Sequence, residues 1–237
     1  MCLIAIAVDA APDLPLVIAA NRDEFFTRPA APARWWEDAP RIFAGRDLPG
    51  DGTWMGITRG GRFAAVTNYR DLSIRVEEPR SRGALVRRFL EGDEAPERFL
   101  NDLAGEAHRY GPFSLVAGAP GALWWTSSVT GAVARIPRGI HALSNHLLDT
   151  PWPKVRRVTE GLRRALDGPR DVLGETLLGV LADRSPAPAD ALPDTGVGGV
   201  LEAGLSPIFV SLPGYGTRCS TVLLADRDGG VVVRELS

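Results

Sequence analysis

The sequence predicts an α+β fold of two mostly antiparallel sheets with helices packed outside them. Three observations carry this. Short apolar runs rich in branched residues alternate with turn signals, so neighbouring strands join as hairpins. Stretches with helical apolar spacing separate the strand groups, giving strands, helices, strands, helices and strands again. No repeat or compositional break divides the 237 residues, which predicts a single domain over residues 1–237.

The first run, Cys2 to Val8, is apolar throughout and stops at Asp9 and Pro12. A second, Leu16 to Ala20, delivers the chain into the polar cluster Asn21-Arg22-Asp23-Glu24. A loop region with Trp35 and Trp36 follows. Thr53–Thr58 and Arg62–Thr67 then form a hairpin through Arg59-Gly60-Gly61. Ser81 is the expected N-cap of a helix presenting Leu85, Val86, Phe89 and Leu90. A short helix covers Pro96–Leu103, and strands follow at Phe113–Ala117, Ala122–Ser127, Ala132–Ile136 and Ile140–Leu143. Two more helices carry Val155, Val158, Leu162 and Leu166, then Val172, Leu173, Thr176, Leu177, Val180 and Leu181. Ser185 to Leu205 reads as a long surface loop. Strands at Ile208–Ser211, Arg218–Leu224 and Val231–Glu235 close the chain.

The composition is 45% hydrophobic and 24% charged, with a formal net charge of −2. That balance gives no reason to expect nucleic acid as a partner. The N-terminus lacks a basic segment before its apolar run, and no run approaches the ~20 apolar residues of a membrane helix. A cytoplasmic protein without an integral membrane segment is expected. The two cysteines, Cys2 and Cys219, do not suggest a disulfide framework.

Cys2 is the leading candidate for chemistry. The initiator Met1 is usually removed before a residue as small as cysteine. The exposed α-amine has an ordinary pKa of about 7.7–8.0, and the thiol about 8.5. The amine can then take the thiol's proton near neutrality, so one residue supplies both nucleophile and base. An amide hydrolase of this kind also needs a carboxylate to orient the amine, a guanidinium to hold the thiolate and amide donors for the oxyanion. Asn21-Arg22-Asp23, Asn68, Ser144-Asn145 and Arg218 stand at strand ends where such groups belong. Trp35 and Trp36 are placed to wall a site, whereas Trp124-Trp125 suits core packing equally well. His108, His141 and His146 show no metal-ligand spacing with the cysteines, so no metal is expected. His146 stands out because it follows Asn145. Gly50–Gly56 lacks phosphate-loop spacing.

A set of motifs then gathers into a resemblance. They are Met1-Cys2, Ala19-Ala20-Asn21-Arg22-Asp23-Glu24-Phe25, Gly52-Thr53-Trp54-Met55-Gly56 and Thr67-Asn68-Tyr69-Arg70. They continue with Leu143-Ser144-Asn145, Leu148-Asp149-Thr150-Pro151-Trp152-Pro153-Lys154, Leu192-Pro193-Asp194-Thr195-Gly196-Val197 and Tyr215-Gly216-Thr217-Arg218. The chain resembles the NRDE family, also called the transport and Golgi organisation 2 family, along essentially its whole length. That family looks like a branch of the N-terminal-nucleophile (Ntn) hydrolases, which include bile-salt hydrolases and penicillin V acylases. The resemblance implies a four-layer αββα sandwich. It implies Cys2 as nucleophile, Arg22 and Asp23 as thiolate-stabilising and amine-orienting groups, and Asn68 and Asn145 at the oxyanion and tetrahedral-intermediate contacts. Arg218 would match an arginine of the last strands. Asn21, Glu24, Trp35, Trp36, Tyr69 and His146 are expected around the substrate. The bile-salt hydrolases carry Arg-Asn-x-Asp where this chain has Asn-Arg-Asp-Glu, which leaves Asp23 and Glu24 both open as the amine's partner.

Two functions follow as expectations. One is hydrolysis of a linear amide or acyl compound through a Cys2 acyl-thioester, with no cofactor required. The other is a non-catalytic carrier for a small hydrophobic ligand such as haem, acyl-CoA or a lipid.

Overall fold

The computed structural model describes residues 2–237. Its strands in chain order are β1 (Cys2–Ala11), β2 (Leu14–Phe25), β3 (Ala30–Trp35), β4 (Ile42–Asp47), β5 (Met55–Thr58), β6 (Phe63–Asn68), β7 (Phe113–Ala119), β8 (Ala122–Ser127), β9 (Val133–Arg135), β10 (Gly139–Leu143), β11 (Ser211–Leu212), β12 (Tyr215–Ala225) and β13 (Val231–Leu236). The helices are α1 (Gly83–Glu91), α2 (Pro96–Ala104), α3 (Pro153–Leu166), α4 (Leu173–Leu181) and α5 (Gly199–Gly204).

Among the described residues the strands form two antiparallel sheets. One runs β10-β1-β2-β12, with β11 and β13 both paired to β12; the other runs β3 through β9 in sequence order. Side-chain parity explains the layers. On β1, Ile4, Ile6 and Val8 meet Met55, Ile57, Phe63 and Val116 of the second sheet. The alternate residues Leu3, Ala5 and Ala7 pack under Val155, Val158 and Leu162 of α3 and Leu177 and Leu181 of α4. This strand is apolar throughout because both of its faces are covered. On the far side, Leu85, Val86, Phe89 and Leu90 of α1 and Phe99, Leu100 and Leu103 of α2 cover Ala64, Val66, Leu115 and Ala117. The result is the expected α+β sandwich in four layers, αββα.

Several local expectations are corrected. Arg82, not Ser81, occupies the N-cap of α1, without a side-chain cap; the Ser81 carbonyl instead accepts from the Ala84 N–H. The polar cluster lies inside β2 rather than after it, because β12 continues to pair with β2 as far as Phe25. The region read as a loop contains β3 and β4. β3 is an edge strand, which tolerates Pro32. The Ser185–Leu205 segment carries the short helix α5. Ile208 packs against the α3/α4 core ahead of β11 rather than within a strand. Thr176 of α4 and Val172 just before it face solvent, and Leu178 joins the buried face in their stead. Trp124 and Trp125 both pack against core clusters.

Candidate active site

The site begins with register. Cys2 of β1 opposes Arg22 of β2, and Arg22 opposes Cys219 of β12. Directly opposed residues share a face. These three therefore form one row, on the same side as Ile4, Ile18 and Ala20, facing the second sheet. The row spans two inter-strand gaps of about 4.8 Å, so Cys2 and Cys219 stand too far apart for a disulfide without backbone movement. Both thiols are free.

Asn21 and Asp23 have the opposite parity and turn toward the helices. A bulge in β12 between Thr217 and Cys219 gives Asp23 a partner on that side. One extra residue flips the side-chain parity, so Thr217 comes to oppose Asp23 while Cys219 stays beside Arg22. Thr217 Oγ1 then donates to Asp23 Oδ1 at 2.7 Å. Arg218, the extra residue, sends Nη1 to the carbonyls of Phe25, Phe26 and Arg28 at 3.0–3.1 Å. It thereby fixes the turn that follows β2.

Between the sheets at this end lies a cavity of about 560 Å³, lined by Cys2, Arg22, Asp23, Glu24, Asn68 and Arg218 among others. Arg22 reaches Asp47 of β4 at 3.5 Å and Glu24 at 3.9 Å. Arg28 grips the same Asp47 with two bonds of 2.6 and 2.7 Å. Asp47 thus ties the two sheets together across the cavity. Cys2 is only 7% exposed. Burial pushes its thiol up and the charge of Asp23 adds to this, while Arg22 and a hydrogen bond from the Asp23 backbone pull it down.

Behind Asp23 sits a residue that the motif reading did not single out for the site. Lys154 of α3 is buried, and its Nζ donates to the Leu205 carbonyl at 3.1 Å. Burial brings it down to about 8, against the opposing pull of Asp23. Asp23 itself is raised by burial, with Lys154 and the Thr217 hydroxyl acting to lower it. Tyr215 donates to the Asp23 carbonyl at 3.2 Å, and burial and then Asp23 raise its phenol.

Lys154 sets a pH signature. Its native value lies below the ordinary ~10.4 of an unfolded lysine, so between pH 8 and about 10.4 the unfolded chain binds the extra proton. Stability contributed here therefore rises with pH across that window, by on the order of 3 kcal/mol. Urea unfolding at pH 8 and pH 10 should show this rise in the wild type and lose it in Lys154→Met; equal slopes in both would refute it.

Asn145 is fully buried, its Nδ2 donating to the Asn68 carbonyl at 3.1 Å. Its neighbour Ser144 donates to the Cys2 carbonyl at 3.5 Å. Asn145 thus reaches the site through Asn68, which itself lines the cavity. The Arg70 N–H donates to the Asn145 carbonyl at 2.8 Å, and the Arg70 side chain forms a buried ion pair with Glu202 of α5 at 2.8 Å. Glu202 also accepts from the Thr195 N–H and hydroxyl.

Five of the expected substrate contacts lie outside the cavity lining. Asn21 points to the helix side, where its Nδ2 serves the carbonyls of Leu181 and Ile208 and its Oδ1 accepts from Ser220. Trp36 is buried beside α1 with its indole N–H on the Ala44 carbonyl. Trp35 is 40% exposed, edge-on to Phe43 and beneath Arg59. Tyr69 and His146 bond each other at 2.7 Å, and His146 continues to Thr150 at 2.9 Å. Glu24 does line the cavity, in the Arg22 and Arg28 ion pairs.

Comparison with known proteins adds the ancestry. Residues 1–237 match the family model described as Transport and Golgi organisation 2. The Homo sapiens Transport and Golgi organization protein 2 homolog is 35% identical over 259 residues, spanning 100% of this chain and 93% of the relative. The Bos taurus homolog is 34% identical over 257 residues with the same coverage, and the Drosophila melanogaster protein 27% over 264, covering 96% and 89%. Among solved structures, a Caenorhabditis elegans N-acylethanolamine-hydrolyzing acid amidase ortholog aligns with TM-score 0.52 at 10% identity, covering 94% of this chain and 92% of its own. The C2A mutant of the conjugated bile acid hydrolase from Clostridium perfringens aligns with TM-score 0.52 at 8% identity, covering 100% and 92%. At such identities the structural likeness concerns the fold, which is that of the Ntn-hydrolases. With its full length matched to one family model and relatives above 30% identity, the chain belongs to the Transport and Golgi organisation 2 family.

Proposed function

We propose that the chain is an N-terminal-cysteine hydrolase of linear amides or related acyl compounds. The observation that carries this reading is Cys2 itself. It heads β1, an inner strand of its sheet, at the wall of a polar cavity, beside Arg22 and within electrostatic reach of Asp23. The state of Met1 lies outside the described residues; its removal is part of the proposal. The freed α-amine takes the thiol proton, and sulfur forms a bond to the substrate carbonyl carbon. The tetrahedral oxyanion is received by the Asn68 amide, which Asn145 holds in place. The amine leaving group departs with the proton that the α-amine passes on. Water then attacks the thioester, gives a proton to the α-amine, and releases the acid with the thiol restored. Asp23 suits the amine-orienting role better than Glu24, which is engaged with Arg22 and Arg28 at the cavity.

Carriage of haem, acyl-CoA or another lipid is the second reading. The lining argues against a purely apolar ligand, because six arginines and four side-chain carboxylates would have to be desolvated. The deciding experiment is acid-quenched mass spectrometry after mixing with a panel of N-acyl amino acids and acyl thioesters. Hydrolysis with a hydroxylamine-labile acyl adduct on the Cys2 peptide is expected. Tight binding without adduct or hydrolysis would overturn the reading in favour of carriage.

A further inference from the structure

We propose that Arg82, assisted by Arg218, binds an oxyanion group of the substrate, a carboxylate or phosphate, beside Cys2. The inference rests on the Cys2 site above and names the class of molecule that it takes.

The charges lining the cavity do not balance within it. Four of the six arginines are ion-paired or solvated. Arg22 and Arg28 share Asp47 and Glu24. Arg46 is turned to Asp38 and Asp51. Arg80 is exposed at the rim. The remaining two, Arg82 and Arg218, give their hydrogen bonds to backbone carbonyls. Arg82 Nη1 donates to Pro112 at 3.1 Å, and Arg218 Nη1 to the three carbonyls that follow β2. Among the described residues no carboxylate pairs with either. A guanidinium carries five donors in a planar fork. Each therefore keeps Nε and Nη2 for a ligand, in the geometry that suits carboxylate or phosphate.

Arg82 is also held where it is. It occupies the N-cap of α1, and the α1 N-terminus is packed so closely on Gly52 that a Cβ there would lie 2.5 Å from the Gly83 carbonyl carbon. Gly111 lies against its guanidinium, where a Cβ would stand 3.5 Å from Nη1. Burial disfavours its charge, and Cys2 and Glu24 lie near enough to oppose that. The first turn of α1 has no acidic residue and no side-chain cap, so the helix dipole adds to the positive potential at this wall. A partly buried cation lacking its own counter-ion, beside a nucleophile, is suited to recognise charge on the bound molecule. Arg82 touches substrate in this scheme, and Arg218 completes the anion's surroundings.

The test compares alkylation of Cys2 by anionic iodoacetate and neutral iodoacetamide, read by peptide mass mapping that separates Cys2 from Cys219. The wild type should favour iodoacetate over its free-cysteine ratio by roughly tenfold, the effect of one partly buried charge pair. Inorganic phosphate should slow iodoacetate and spare iodoacetamide. Arg82→Gln should return the ratio to that of free cysteine, and Arg82→Lys should retain part of it. If Arg82→Gln slows both reagents equally, Arg82 acts on the thiolate and the proposal fails. A parallel thermal-shift titration needs no reactive thiol: phosphate or acetate should stabilise the wild type saturably beyond potassium chloride of equal ionic strength. The stronger of the two identifies the anion class, and no saturable shift from either overturns the proposal. Cys2 that resists both reagents while phosphate or acetate binding persists would count against the nucleophile and leave the anion site standing.

Discussion

Cys2→Ala is expected to lower turnover on any amide or acyl substrate of this protein by roughly 10⁴–10⁶-fold, the scale seen when a covalent nucleophile is removed. The substitution deletes one sulfur from the first residue of β1 and leaves the strand's backbone pairing to Arg22 intact. Stability should change by no more than about 1 kcal/mol. Alanine also permits removal of Met1, so the comparison isolates the thiol from the amine. Arg22, Asp23 and the Asn68–Asn145 contact remain in place, and substrate binding should survive. Steady-state rates with matched thermal melts check this. Turnover within tenfold of wild type in the alanine variant would remove Cys2 from the mechanism.

Breaking the Arg70–Glu202 pair should give the largest loss of stability. The two side chains are 6% and 3% exposed, and they connect the segment after β6 to α5. Arg70→Met leaves the Glu202 carboxylate with only its Thr195 contacts, and Glu202→Leu leaves a buried guanidinium stacked 5.0 Å from the Trp152 ring centre. Each single change should cost about 3–5 kcal/mol, because it strips a buried charge of the opposite charge it is paired with. Against a total of about 5–15 kcal/mol this is a large share. The double variant should recover much of the loss, since it buries no lone charge. Urea unfolding of the two singles and the double completes the cycle. Singles that each cost under about 1 kcal/mol would show the pair to be solvated.

These residues also show what sequence reading reaches. β1, β6, β7 and α1–α4 are legible because a covered face imposes a period on the residue types. β3 and β4 are not: β3 is an edge strand carrying Pro32 and Arg34, and β4, between β3 and β5, is short and ends in Arg46-Asp47, so its apolar face stops at Ile42 and Ala44. The continuation of β2 through Asn21–Phe25 is hidden for a related reason. Its charges are satisfied by partners distant in sequence, Asp47 for Arg22 and Thr217 for Asp23. Cys2, Arg22, Asp23 and Asn68 could be gathered from strand ends and family motifs. The β12 bulge that sets Thr217 beside Asp23 and Cys219 beside Arg22 depends on a register that no local pattern encodes. Trp35 and Trp36 could not be told apart from the sequence: one ends β3 and is exposed, while the other follows it and is buried beside α1.

Lys154 had a signal in plain view. It is the single lysine among 27 basic residues, and it is buried behind the Asp23 carboxylate. Arginine serves elsewhere on this chain. A compact ammonium with an adjustable pKa is the one property that arginine cannot supply there.

The central claim is that Cys2 becomes an N-terminal residue whose own amine activates its thiol. N-terminal peptide mass spectrometry of the cell-made protein tests it most directly. The account predicts a chain beginning at Cys2 with an unmodified α-amine. A chain that keeps Met1 throughout, or whose Cys2 amine is acylated, would contradict it.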